Sequence, residues 1–244
     1  MARIDDVLAA ALRQLPEKPT DDAKQESKKR YSELVSQQVA LAIADELRDR
    51  GLKEARPYAS DKSGDSGAER RMAGGLGAKK VDVTWATEES GLLCAVSVKT
   101  INFRDSRTKN YQKNLINRRG DMLMEAVTLH RRFPYAVLAG FFFLDHGAEH
   151  DGTLQRRSTF LNAHARLQLF SGRSDPAGRE EQFERFYLIL LDASPMNVGL
   201  RAFAVGAPKE EVPLSDVLDD LLKLVAQRNP DFYEFDDGKL KRAS

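Results

Sequence analysis

The sequence predicts an α/β domain in which helices flank a mixed central β-sheet. Helical segments with an apolar period of 3.6 residues alternate with short β-rich runs along the chain. Two of the β-rich runs are separated by a short glycine-containing turn, which predicts an antiparallel hairpin. A further run, residues 135–144, is almost continuously apolar, which is typical of a strand buried on both faces.

The composition is that of a globular chain. The 244 residues are 41% hydrophobic and 31% charged, and one domain spanning 1–244 is the economical interpretation. Disordered, collagen-like and disulfide-scaffold proteins are excluded. The formal net charge of +1 excludes a globally basic nucleic-acid coat, so any nucleic-acid site must be a local patch. No apolar run is long enough to cross a bilayer and the N-terminus is unlike a signal or transit peptide, so a cytoplasmic, membrane-free protein is expected.

Two helices are predicted before the first strand. The first lies in an N-terminal extension, residues 1–20, and carries a short apolar stripe. The second spans about residues 22–50, with Thr20 or Asp21 as its cap and Gly51 at its C-terminal end. Its first turns are strongly charged, and we interpret them as a solvated end.

A polar stretch and the hairpin follow. Residues 59–78 are rich in Ser, Asp and Gly, which predicts a mobile loop. The hairpin strands are expected at 79–87 and 92–100. On the first strand the side chains should alternate between an apolar and a polar face, Val81, Val83 and Trp85 against Asp82 and Thr84.

The remaining elements complete a core of about residues 22–205 and a C-terminal part of residues 213–244. They are a helix at 110–132, a strand at 135–144, a helix at 160–170, a strand at 185–191, a weaker strand at 200–205 and a helix at 214–227. The tail from residue 231 is charged and is expected to fray.

One cluster of side chains in the predicted hairpin points to chemistry. Alternation along the second strand places Ser97 and Lys99 on one face and the buried-type residue Cys94 on the other. Across the hairpin, Asp82 can stand beside Lys99. Phosphodiester hydrolysis uses such a pair, because a carboxylate and a main-chain carbonyl, here that of Val98, hold a divalent metal while the lysine orients water and stabilises negative charge. The alternative is an ordinary cross-strand ion pair.

The surrounding pattern resembles the PD-(D/E)XK nuclease superfamily, which has the restriction-endonuclease-like fold. The resemblance rests on Lys80-Val81-Asp82-Val83, the hairpin, and Val96-Ser97-Val98-Lys99. A helix with Tyr31-Ser32-Glu33-Leu34 precedes the hairpin, in the place where the superfamily commonly has a glutamate, and implicates Glu33. The resemblance covers residues 31–145 and implies a restriction-endonuclease-like core.

The chain departs from the family pattern at Ser97, where Asp or Glu is expected. Some type II restriction enzymes of the superfamily have Ser at this position and take the missing carboxylate from the following helix. Asp121 and Glu125 both lie in that helix, and Glu125 is preferred because it shares a side with apolar residues. The alternative for Glu125 is a half-buried ion pair with Arg118 or Arg119.

The same segment is locally basic. Residues 99–132 contain nine Lys and Arg but only three acidic residues, which predicts phosphate contacts beside the proposed site. The candidate nucleic-acid-binding residues are Arg104, Arg107, Lys109, Lys113, Asn114, Asn117 and Arg118, with Arg70 and Arg71 from the preceding loop. A solvated helix face is the alternative for each.

The resemblance implies a metal-dependent endonuclease that cuts DNA, in a restriction or phage-defence setting. Mg²⁺ or Mn²⁺ would be held by Asp82, the Val98 carbonyl, Glu33 and Glu125, with Lys99 orienting the attacking water and Ser97 hydrogen-bonding water near the ion. The expected partners are double-stranded DNA, a second copy of the chain in a homodimer, and a methyltransferase or defence-system subunit. Two alternatives stay open: an inactive DNA-binding or assembly subunit with the same fold, and a small-molecule or protein-interaction module.

Overall fold

The computed structural model describes residues 3–59, 71–193 and 198–243. Its α-helices are α1 (Arg3–Arg13), α2 (Gln25–Asp49), α3 (Leu115–His130), α4 (Thr159–Leu167) and α5 (Leu214–Arg228). Its strands are β1 (Arg71–Gly74), β2 (Gly77–Lys80), β3 (Val83–Thr87), β4 (Gly91–Ile101), β5 (Val137–Asp145), β6 (Arg185–Asp192), β7 (Gly199–Ala204), β8 (Glu211–Val212), β9 (Tyr233–Asp236) and β10 (Lys239–Arg242). None of the helices in these ranges is both long and apolar enough to cross a membrane.

Six strands form one mixed sheet in the order β3-β4-β5-β6-β7-β8. The central strands β4, β5 and β6 are parallel, and the strands on either side are antiparallel to their neighbours. Every residue of β5 is buried, as the continuous apolar run predicts. The α/β class with a mixed sheet flanked by helices is therefore confirmed, and β4 to β7 and the α-helices lie close to their predicted positions.

The sheet separates two apolar cores. One face packs against α1, α2, α5 and the β9–β10 hairpin, and the other packs against α3, α4 and the β1–β2 hairpin. Cys94 lies in the first core with the rest of the inward side of β4, and burial raises its thiol pKa to about 12. Ser97 and Lys99 project from the opposite side of β4, as alternation predicts.

The start of α2 differs from the prediction. The helix begins at Gln25, and neither Thr20 nor Asp21 caps it. The Asp21 carboxylate instead accepts a hydrogen bond from the backbone N–H of Arg104 (3.0 Å), so its side chain ties this linker to the segment after β4. Gly51 ends the helix with φ +106°, as expected of a C-terminal glycine.

The prediction of a mobile loop at residues 59–78 is wrong for residues 71–78. Residues 60–70 lie outside the described ranges, but β1 and β2 form an antiparallel hairpin. Glycines let this hairpin lie directly on α3: a Cβ at Gly74 would meet Thr128 at 2.3 Å, and the Gly75 N–H donates to the Thr128 carbonyl (2.8 Å).

The predicted continuous strand at 79–87 is also wrong. It breaks between Lys80 and Val83, so that Val81 packs in the core with α3 while Val83 and Trp85 pack in the opposite core. At the break the Asp82 carboxylate accepts the Val98 N–H (2.7 Å) in place of a backbone carbonyl. Because of the break, Val81 and Val83 point to opposite faces of the sheet although they are two residues apart. The Asp82 side chain points towards β4.

The C-terminal tail does not fray. The β9–β10 hairpin turns at Asp237 and Gly238, both with positive φ, an Asp-Gly signal that sequence reasoning passed over. Tyr233 stacks edge-on against Trp85 with ring centroids 5.1 Å apart, and the Leu240 N–H donates to the carbonyl of Arg50 (2.8 Å). The tail is therefore part of the core around α2 and α5.

Candidate active site

The candidate site lies along an open edge of β4. The strand β3 pairs with β4 only as far as Val96, and no strand of the described ranges pairs with the rest of that edge. A cleft of about 1170 Å³ opens there between α2 and the start of α3, and Val98 to Ile101 lie along its floor. On this edge the backbone of β4 faces the cleft and not another strand of the described ranges, while β5 pairs with its other edge.

The Lys99 ammonium lies among four oxygen atoms at the floor of the cleft. Its Nζ is 3.2 Å from Asp82 Oδ2, 3.0 Å from Ser97 Oγ, 3.3 Å from the Val98 carbonyl oxygen and 3.6 Å from Glu125 Oε2. Three separate elements supply them: the β2–β3 break, β4 and α3. The structure thus brings together five of the six residues that the sequence predicts for the catalytic and metal site.

The charges of this cluster depend on one another. Burial opposes the charge of the Lys99 ammonium, but the carboxylates of Glu125 and Asp82 outweigh it, so the pKa of Lys99 lies above its ordinary value. Lys99 is therefore a charged hydrogen-bond donor at neutral pH and not a base.

The choice between the two acidic residues of α3 follows their burial. Glu125 is 2% exposed and faces Lys99, whereas Asp121 is exposed and lies 3.9 Å from Arg118. The Glu125 carboxylate lies 3.6 Å from the Lys99 ammonium, a contact that the alternative ion pair with Arg118 or Arg119 did not anticipate. Helical spacing put Asp121 and Glu125 one turn apart, and the packing of α3 on the sheet distinguishes them.

Glu33 lines the cleft but does not reach the cluster. Its side chain is 65% exposed and its carboxylate lies 3.8 Å from Lys29, one turn earlier on α2. A serine of α2, Ser32, makes the contact with the end of β4 instead. Its hydroxyl accepts a hydrogen bond from the side chain of Asn102, the residue after β4 (3.1 Å).

The predicted nucleic-acid-binding residues divide into two groups. Arg104, Lys113, Asn114 and Arg118 line the cleft, and Lys113 pairs with Asp105 (2.5 Å). The second group lies elsewhere. Arg107, Lys109 and Asn117 are exposed and do not line the cleft, Arg70 lies outside the described residues, and Arg71 is the first residue of β1.

Sequence reasoning missed the cations on the other side of the cleft. Lys28 and Lys29 line it from α2, and Lys80 lines it from the end of β2. The signal was present in the charged first turns of α2, which we interpreted as solvated. Among the described residues that line it, the cleft has seven lysines and arginines against three carboxylates, Glu33, Asp82 and Asp105.

The donor atoms suit a hard divalent cation. Asp82, Glu125, the Val98 carbonyl and Ser97 supply oxygen only, and Mg²⁺ is commonly bound through one or two protein carboxylates with water and substrate phosphate completing its shell. Within the described ranges no group of three or more His, Cys, Asp or Glu side chains forms a metal site, and this cluster contributes two carboxylates.

Comparison of this chain with models of known protein families, with curated proteins and with solved structures finds no match.

Proposed function

We propose that this chain is a metal-dependent endonuclease that hydrolyses DNA phosphodiester bonds on a restriction-endonuclease-like core. The observation that carries the proposal is the Lys99 ammonium, held among Asp82, Ser97, the Val98 carbonyl and Glu125 at the floor of a cationic cleft. An ordinary cross-strand ion pair needs only one carboxylate, and it needs no buried glutamate from a helix.

Each side chain has a role that follows from its position. Asp82, Glu125 and the Val98 carbonyl present oxygen atoms that would hold Mg²⁺ or Mn²⁺. Such an ion, when bound, supplies Lewis-acid stabilisation of the phosphate and lowers the pKa of water. Lys99, as a charged donor beside these oxygens, orients the attacking water and stabilises the negative charge that develops on the phosphate. Ser97 holds Lys99 through its hydroxyl (3.0 Å) and can hydrogen-bond water.

The cleft supports a polyanionic substrate. Its lining is strongly cationic and mostly polar, whereas small-molecule pockets are predominantly apolar with few polar groups. Cations along a groove are the common means of binding a phosphate backbone.

Plasmid cleavage tests the proposal. The wild type, Lys99→Ala and the matched exposed-lysine control Lys209→Ala are incubated with supercoiled DNA in EDTA, Mg²⁺ or Mn²⁺. We expect nicked and linear products only with metal, the same products from Lys209→Ala, and none from Lys99→Ala. Full cleavage by Lys99→Ala contradicts the mechanism.

Ser97, which stands where the family pattern has Asp or Glu, favours one rival, an inactive DNA-binding subunit with the same fold. Calorimetric titration with Mn²⁺ separates the two, because a working site binds the ion with heat that disappears in Glu125→Gln. A wild type that binds DNA but neither binds Mn²⁺ nor cuts supports the inactive subunit.

A further inference from the structure

The first turns of α2 form the second wall of the cleft, opposite the wall formed by the start of α3. Lys28 and Lys29 stand on α2, and Lys113 and Arg118 stand on the segment around the start of α3. The floor between the two walls carries Asp82 and Lys99. Cations therefore flank the proposed reaction centre on two sides.

The charge on α2 is placed where helix stability does not favour it. The N-terminal end of a helix carries a partial positive charge, so it favours acidic side chains over basic ones. The first turn of α2 nevertheless holds a single acidic residue, Glu26, and Lys28 and Lys29 follow after one serine. The helix end and its lysines add their positive potentials at the same wall.

The two lysines of α2 make one contact with a neutral acceptor and one solvent-exposed ion pair. Lys28 donates to the main-chain carbonyl of Asp21 (3.0 Å), which is a neutral acceptor, and its Nζ lies 6.0 Å from the Phe103 ring centroid. Lys29 lies 3.8 Å from Glu33, and both side chains are well exposed, so water screens this pair strongly.

The cations of the opposite wall are paired in two ways. Lys113 pairs with Asp105 at 2.5 Å, and this contact with other hydrogen bonds holds the pKa of Asp105 well below its usual range. Arg118 has Asp121 at 3.9 Å, and both side chains are well exposed, so water screens this pair as it screens the ion pair on α2. Both walls therefore present positive charge to a ligand, and among these cations Lys113 lies closest to a carboxylate.

We infer that Lys28 and Lys29 bind the phosphate backbone of the DNA and, with the wall at the start of α3, clamp it across the reaction centre. This inference rests on the proposed function and adds a binding surface to it. A phosphate backbone fits because its charges repeat along a line, whereas a small acid would occupy only one wall.

The test is the salt dependence of binding to a short fluorescein-labelled duplex of random sequence, measured by anisotropy in EDTA. Each phosphate contact contributes about −0.9 to the slope of log affinity against log salt. We expect the double variant Lys28→Gln/Lys29→Gln to bind more weakly and to lose roughly one to two units of that slope. The control Lys209→Gln/Lys239→Gln, which removes the same charge at exposed positions away from the cleft, should keep the wild-type slope.

The outcomes separate the two proposals. If the wild type binds with a steep salt dependence and the α2 variant keeps both its affinity and its slope, the inference is overturned while the nuclease proposal stands. If the wild type shows no salt-dependent binding, the nuclease proposal fails as well. Equal thermal unfolding midpoints for the variants and the wild type establish that the lysines act on binding and not on folding. The single variant Lys29→Gln repeats the test, and we expect it to lose about half as much of the slope as the double variant.

Discussion

Lys99 Nζ and Glu125 Oε2 lie 3.6 Å apart and join β4 to α3 beneath the floor of the cleft. Glu125 is 2% exposed, so the ammonium is a principal source of compensation for its charge. The same ammonium lies 3.2 Å from Asp82. Two carboxylates from different elements thus share one cation, which makes the cluster sensitive to any change at Lys99.

Removing that cation should destabilise the protein in a way that metal reverses. We expect Lys99→Met to lower the free energy of unfolding by roughly 3 kcal/mol in EDTA, because two partly buried carboxylates lose their shared partner. Mn²⁺ should then raise the melting temperature of Lys99→Met by more than that of the wild type, since the ammonium and the divalent ion compete for the same oxygens. Thermal unfolding with and without Mn²⁺ measures both effects, and equal shifts in the two proteins argue against a metal site.

The two acidic residues of α3 should differ sharply in their effect on cleavage. Glu125→Gln should reduce metal-dependent cleavage by at least about tenfold, because it removes a carboxylate from the cluster. Asp121→Asn is the matched control: its side chain is exposed and should leave the cleavage rate close to that of the wild type. Initial rates at saturating Mg²⁺ decide this, and equal losses in both variants contradict the role of Glu125.

A second buried charge cluster, away from the cleft, should determine stability and not activity. The Glu184 carboxylate is fully buried and accepts hydrogen bonds from Arg173 (2.8 Å), Arg228 (2.7 Å) and the Leu138 N–H (2.7 Å), with His130 at 3.2 Å. Glu184→Gln leaves two buried guanidinium groups without their anion and should cost roughly 3–5 kcal/mol.

Urea unfolding measures the loss of stability in Glu184→Gln, and Glu180→Gln is the control. Glu180 pairs with Arg131 at 2.7 Å, but both side chains are well exposed, so its loss should cost less than about 1 kcal/mol. Similar urea unfolding midpoints for Glu184→Gln and Glu180→Gln would contradict a stabilising role for the buried cluster around Glu184.

The stability of the protein should fall in mild acid partly because of His164. Burial lowers its pKa from 6.5 to about 4, and its Nδ1 accepts the Gly206 N–H (3.0 Å). The folded state therefore favours the neutral ring, and its contribution is present above about pH 6.5 and declines as the pH falls towards 4.

The variant His164→Asn isolates this effect, because its amide oxygen can stand near the position of Nδ1 and does not titrate. The free energy of unfolding, measured at intervals between pH 7 and pH 4, should decline less steeply in His164→Asn than in the wild type. Parallel curves would remove His164 as the cause.

Much of the fold could be predicted because its signals are local. The burial of β5 follows from one apolar run, and the opposite orientation of Lys99 and Cys94 follows from the two-residue period of a strand. The errors have local causes as well. The break before Val83 depends on a carboxylate that takes the place of a backbone carbonyl, which periodicity cannot register.

The sequence by itself determined the order of the α-helices and of strands β3 to β7, and it placed Asp82, Ser97 and Lys99 close together along the chain around one hairpin, because backbone sterics and side-chain periods act over a few residues. Only the tertiary structure decided that Glu125 reaches Lys99, that Glu33 does not, and that the first turns of α2 face the cleft. Those relationships depend on how helices far apart in the chain pack on the sheet. That packing is a property of the whole core and of no single segment.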